Sequence, residues 1–108
     1  MIVASKTTTV IVTNGSISVY NNGGYFARFS ISFQTNGIPK TLSTGSFSLG
    51  QKLTLNIPDG SCCGQVIAEK EVFIGSWQQI FSLNFNLPFE QCFKVAGTTL
   101  NSNWATGC

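Results

Sequence analysis

In 108 residues the chain carries six basic and four acidic side chains and no histidine, a formal net charge of +2. Acid–base catalysis near neutral pH recruits histidine or a pair of tuned carboxylates. Asp59, Glu69, Glu71 and Glu90 are scattered, so no enzyme, no cofactor and no metal site is expected, a calcium site included.

The basic residues Lys6, Arg28, Lys40, Lys52, Lys70 and Lys94 form no cluster that could neutralise a run of phosphates, which argues against nucleic acid as a partner. The length fits a single domain over residues 1–108. The apolar start at Met1–Ala4 stops too soon for a signal-peptide core, and no later run has the length of a membrane span.

Thr7–Thr13 is β-branched throughout and ends at Asn14-Gly15, after which Ser16–Tyr20 alternates polar and apolar residues; together they predict a hairpin. Asn21-Asn22-Gly23-Gly24 reads as the next turn. The strongest strand pattern follows, with Tyr25, Ala27, Phe29, Ile31 and Phe33 on one face and Phe26, Arg28, Ser30 and Ser32 on the other. Thr41–Ser48 reads as a loop. Leu53, Leu55 and Ile57 point inward from a strand that stops at Pro58-Asp59-Gly60. Gln65–Ile74, Trp77–Phe85 and Cys92–Leu100 are further strands, while Asn101–Gly107 has no strand pattern. Glu69 and Glu71 share a face that reads as solvated, with Lys70 opposite. The fold class is therefore all-β, a two-sheet antiparallel β-sandwich of jelly-roll or immunoglobulin-like type with no substantial helix.

Cys62, Cys63, Cys92 and Cys108 make an even set, which favours disulfides and a secreted or cell-surface location. Adjacent cysteines seldom bond to each other, so a bridge is expected from Cys62 or Cys63 to Cys92 or Cys108. Zinc would need CxxC-like spacing or histidines.

Three segments resemble the C-terminal β-sandwich domain of the thiol-activated, cholesterol-dependent cytolysins: Asn22–Phe33, Ile57-Pro58, and Asn86-Leu87-Pro88 with Lys94–Leu100. The resemblance spans nearly the whole chain. It implies a sterol-recognition role for Thr99 and Leu100. In that family a tryptophan-rich loop enters the membrane interface; the corresponding Ile74–Phe81 is short and polar and keeps one tryptophan, Trp77, so weak membrane attachment without pore formation is implied. Small slime-mould hemagglutinin-type lectins are similar single-domain sandwiches.

From this inventory the expected function is a metal-independent lectin that binds cell-surface glycans or glycoproteins through the end loops. The candidate contacts are the amides of Asn21, Asn22, Asn101 and Asn103 and the rings of Trp77 and Trp104. Trp77 could equally be core, whereas Trp104 is expected to be exposed or to lie as a lid over a sheet edge. Agglutination would take a weak homo-oligomer or two sites per chain. The alternative is a sterol- or membrane-surface binder that uses Thr99 and Leu100.

Overall fold

The computed structural model describes residues 15–108, so the Thr7–Thr13 half of the expected hairpin lies outside the described residues. Eight strands follow in chain order: β1 (Gly15–Gly23), β2 (Ala27–Thr35), β3 (Ile38–Ser43), β4 (Lys52–Ile57), β5 (Ser61–Phe73), β6 (Ser76–Phe85), β7 (Glu90–Gly97) and β8 (Ser102–Thr106). They form two four-stranded sheets, β4-β1-β7-β8 and β3-β2-β5-β6. All pairings are antiparallel except β1 with β7, where Ser16 faces Glu90 and Gly23 faces Gly97. Both edges of β1 are thus taken, by β4 and β7.

The alternation read from β2 is the alternation found. Tyr25, Ala27, Phe29, Ile31 and Phe33 are buried between the sheets and meet Ile17, Val19, Val66, Phe81, Phe93 and Val95. Ile57 is fully buried, and Leu53 and Leu55 pack on this core. Phe47, from the connection between β3 and β4, plugs it at one end, held by reciprocal backbone bonds with Ala27.

Several expectations change. The Thr41–Ser48 loop begins inside β3, which pairs with β2 through the Asn36-Gly37 turn. Both turn residues have positive φ, 54° and 80°, as a two-residue hairpin of the I′ kind requires. Asn101–Gly107 holds β8, because pairing with β7 supplies the order that its polar composition does not.

Asn21-Asn22-Gly23 continues β1, and Asn21 is fully buried. Its side-chain amide donates to the carbonyls of Tyr25 and Phe47 at 2.8 and 3.0 Å, and its Oδ1 accepts the Gly23 N–H at 2.9 Å. With every polar group of that side chain engaged, Asn21 stitches β1 to the β1–β2 and β3–β4 connections and has nothing left for a glycan.

The cysteine pairing is corrected as well. Cys62 bonds to Cys63, and Cys92 bonds to Cys108. Cys62 and Cys63 lie on β5 in one sheet, and Cys92 lies on β7 in the other. A backbone bond from Gly107 N–H to the Cys92 carbonyl brings the chain end beside β7, with 5.6 Å between the Cα atoms of Cys92 and Cys108. The loop closed by this bridge, 16 residues in separation, is worth about 3 kcal/mol on chain-entropy grounds.

Tyr25 gives a pH signature of the fold. Its hydroxyl donates to the Ala96 carbonyl at 2.8 Å, and burial pushes the phenol up to about 12. The folded state therefore holds this proton more tightly than the unfolded chain, whose phenol titrates near its ordinary value of 10.0. The stability it contributes is fully present below about pH 10 and is lost as pH rises toward about 12. Urea midpoints of the parent are expected to fall more steeply across that window than those of Tyr25→Phe; parallel curves would show that the phenol is not the titrating group.

Candidate functional site

Following the strands end to end places four connections together. β1 runs toward this end and β2 away from it, β3 toward and β4 away, β5 toward and β6 away, β7 toward and β8 away. The end therefore gathers residues 24–26, 44–51, 74–75 and 98–101. The other end carries the Asn36-Gly37 turn and the connections 58–60 and 86–89.

The large exposed apolar side chains are unevenly divided between the two ends. Phe26, Leu49, Phe73, Ile74 and Leu100 stand at the first end, with Ile74 100% and Leu100 94% exposed; Ile38 and Leu87 stand at the other, and Trp104 along a side. Scattered single apolar residues need no explanation, but a set gathered on one tip points to a contact surface.

Local chemistry fixes the tip. In the β5–β6 hairpin Gly75 takes a φ of 78°, leaving Ile74 at the apex, and the Glu71 carboxylate accepts the Gly75 N–H at 2.9 Å. The turn after β7 starts at Gly97, whose φ is 92° and where any Cβ would run into the backbone oxygen of Asn101. Thr98 and Asn101 then exchange backbone bonds of 3.0 and 3.2 Å, and Thr98 Oγ1 accepts the Asn101 N–H. This closed turn projects Thr99 and Leu100.

Thr99 and Leu100 line an open groove of about 630 Å³ with Val72, Phe73, Ser76 and Trp77. On the other side of Thr99 a second depression, about 400 Å³, is walled by Tyr25, Phe26 and Leu49. Glu71 N–H bonds to the Phe26 carbonyl at 2.9 Å, which ties the two walls together. Beneath the tip Lys70 is buried, its ammonium donating to Ser102 Oγ at 2.9 Å, so it bridges the sheets instead of facing solvent. Glu69 is ion-paired to Arg28 at 2.8 Å.

The expected glycan residues do not converge. Trp77 is half-buried on β6 with the Arg28 guanidinium 4.0 Å over its ring. Trp104 is 39% exposed on β8 and stacks on Phe81 of the opposite sheet, the ring centroids 4.6 Å apart, so one face already covers the open side of the sandwich. Asn22 and Asn103 are exposed on strands of the same sheet, and Asn101 closes the turn at the tip. Thr99 and Leu100, by contrast, share a groove. Phe26, Leu49, Phe73 and Ile74 were not singled out by the sequence reading; the signal was apolar side chains at or beside turns, where polar ones are usual.

Among the described residues no group of histidine, cysteine and carboxylate side chains is disposed to hold a metal ion, and no helix is long and apolar enough to cross a membrane.

The family model of the thiol-activated cytolysin beta sandwich domain matches residues 16–103. The membrane-binding domain of pneumolysin superposes with a TM-score of 0.70 at 15% identity, covering 88% of this chain and 96% of that one. A non-hemolytic pneumolysin from Streptococcus pneumoniae strain ST306 gives 0.69 at 16% identity, and listeriolysin O gives 0.65 at 18%. Each is covered over 87% of this chain, which spans only 23% and 22% of those two longer proteins. A search of curated proteins by sequence gives no match. The structural likeness establishes the fold, and the family model, matching most of its length, establishes that this chain belongs to the thiol-activated cytolysin β-sandwich domain family.

Proposed function

We propose that the domain binds a sterol-containing membrane surface through its tip, with Thr99 and Leu100 meeting the sterol and Phe26, Leu49, Phe73 and Ile74 entering the interface around them. The reading is of binding, without pore formation by these residues, by a secreted or cell-surface protein. The observation that carries it is the gathering of these apolar side chains on one end of the sandwich. Family membership and the likeness to a membrane-binding domain support it. Glycan binding through the tryptophans and the end-loop asparagines loses support, because those residues are dispersed and Asn21 is buried.

Magnitudes favour a shared contact over a lone Thr-Leu pair. Full burial of one Leu, Ile or Phe side chain is worth about 1.5–3 kcal/mol, so a Leu alone falls short of the cost of association. Five such groups reach roughly 7–15 kcal/mol as an upper bound.

Flotation with phosphatidylcholine vesicles, with and without cholesterol, tests the proposal. The parent is expected to float with cholesterol-rich vesicles, and Thr99→Gly with Leu100→Gly to weaken this by at least about tenfold, the worth of one buried Leu. A parent that stays in solution with cholesterol-rich vesicles would overturn the reading.

A further inference from the structure

The far end of β5 carries a second constellation, independent of the tip and roughly 30 Å from it at 3.3 Å per residue from Gly64 to Phe73. There the β2–β5 register slips between Ser32 and Gln34, and Cys63 sits in the irregularity with a φ of 60°. A β-bulge of this kind re-aims a side chain, and its left-handed position normally belongs to glycine. Holding a cysteine there is the sort of local cost that persists where the surroundings demand it. Here the demand is the bond to Cys62.

Cys63 is exposed and lines a depression of about 510 Å³ on the outer face of the sheet. Directly above it a row of hydrogen-bonding side chains crosses all four strands in register: Thr41 faces Ser32, Ser32 faces Gln65, and Gln65 faces Asn84. Gln34 and Asn86 complete the rim, and Lys40 is its single charge. Thr41, Ser32, Gln34, Asn84 and Asn86 are exposed and Gln65 is half-buried, so their polar groups are open to exchange partners with water or a ligand.

We propose that the Cys62–Cys63 disulfide and the row Ser32, Gln65 and Asn84 form a binding site for an uncharged pyranose ring of a cell-surface glycan. Neighbouring positions across strands are about 4.5–5.5 Å apart, a spacing comparable to a sugar ring. Amides and hydroxyls each offer donor and acceptor atoms, as the vicinal hydroxyls of a pyranose do. Cys63 of the disulfide, with the exposed Pro39 in the same lining, supplies an apolar surface on which the C–H side of the ring can rest. The absence of any carboxylate from the lining and the single lysine favour an uncharged sugar over a cationic one. With the tip on a bilayer, this face would stand in the layer that surface glycans occupy. The site differs from the one anticipated at the end loops.

The test runs in solution without vesicles, so its outcome is separate from that of the membrane reading. Amide chemical shifts of the parent are followed while methyl glucoside, galactoside, mannoside and N-acetylglucosaminide are added singly, alongside a glycan array. At least one pyranoside is expected to shift Gln65, Asn84 and Cys63 together. Gln65→Ala with Asn84→Ala should weaken that binding at least tenfold, and so should Cys62→Ala with Cys63→Gly, a change that suits the left-handed position. Both variants should still float with cholesterol-rich vesicles if the parent does. A parent that binds no pyranoside in either assay overturns the proposal, as does binding that both double variants retain in full.

Discussion

Ile74→Asp together with Leu100→Asp is expected to abolish vesicle association while leaving the unfolding midpoint within a few degrees of the parent. Ile74 is 100% and Leu100 94% exposed, so neither contributes to the core, and substitutions at such positions change stability by about 0.5 kcal/mol or less. In the proposed complex each side chain leaves water for about 1.5–3 kcal/mol. Losing both removes about 3–6 kcal/mol, roughly 100-fold to 10,000-fold in affinity, before the cost of bringing two carboxylates to an apolar phase is counted. Ile38→Asp is the matched control, because Ile38 is 60% exposed at the opposite end of the sandwich. Flotation should separate the two variants cleanly. Equal loss in both would mean that exposed apolar area acts without regard to position, and no loss in either would remove the tip from the contact.

Phe29→Ala is expected to lower stability by about 3–5 kcal/mol, and the unfolding midpoint by roughly 12 °C or more. Phe29 is 1% exposed and meets Phe47 edge to face, the ring centroids 6.4 Å apart. Deleting its ring leaves a cavity that neither sheet can close, because Phe29 and its neighbours Ala27 and Ile31 belong to a strand paired on both edges. It also frees Phe47, the residue that anchors the connection bearing Leu49. The adjacent Phe26, 51% exposed on the outer side of the same segment, provides the contrast: Phe26→Ala should cost little stability. Denaturant titration of the two variants checks this, and similar midpoints would mean that the inward and outward assignment along residues 25–33 is wrong.

Local alternation was enough to determine the sandwich, the inward face of β2 and the inward set on β4, since burying one face of a strand fixes every second residue. The sequence itself also carried the turn chemistry of Asn36-Gly37, although β3 went unread because Pro39 and a run of polar residues hide its period. The Thr99-Leu100 pair was legible only through its resemblance to a family motif. Side-chain period says nothing about which strands become neighbours. Only the tertiary structure decided that β1 lies parallel beside β7, that Cys62 and Cys63 are on a different sheet from Cys92, and that β8 is a strand at all. It likewise turned Asn21 from a surface amide into a buried brace, because the carbonyls it satisfies come from residues 4 and 26 positions away. The apolar tip is the clearest case: Phe26, Leu49, the Phe73-Ile74 pair and Leu100 come from four separate stretches of the chain, and they share one surface because four connections end on the same side of two sheets, a consequence of strand direction that no local pattern encodes.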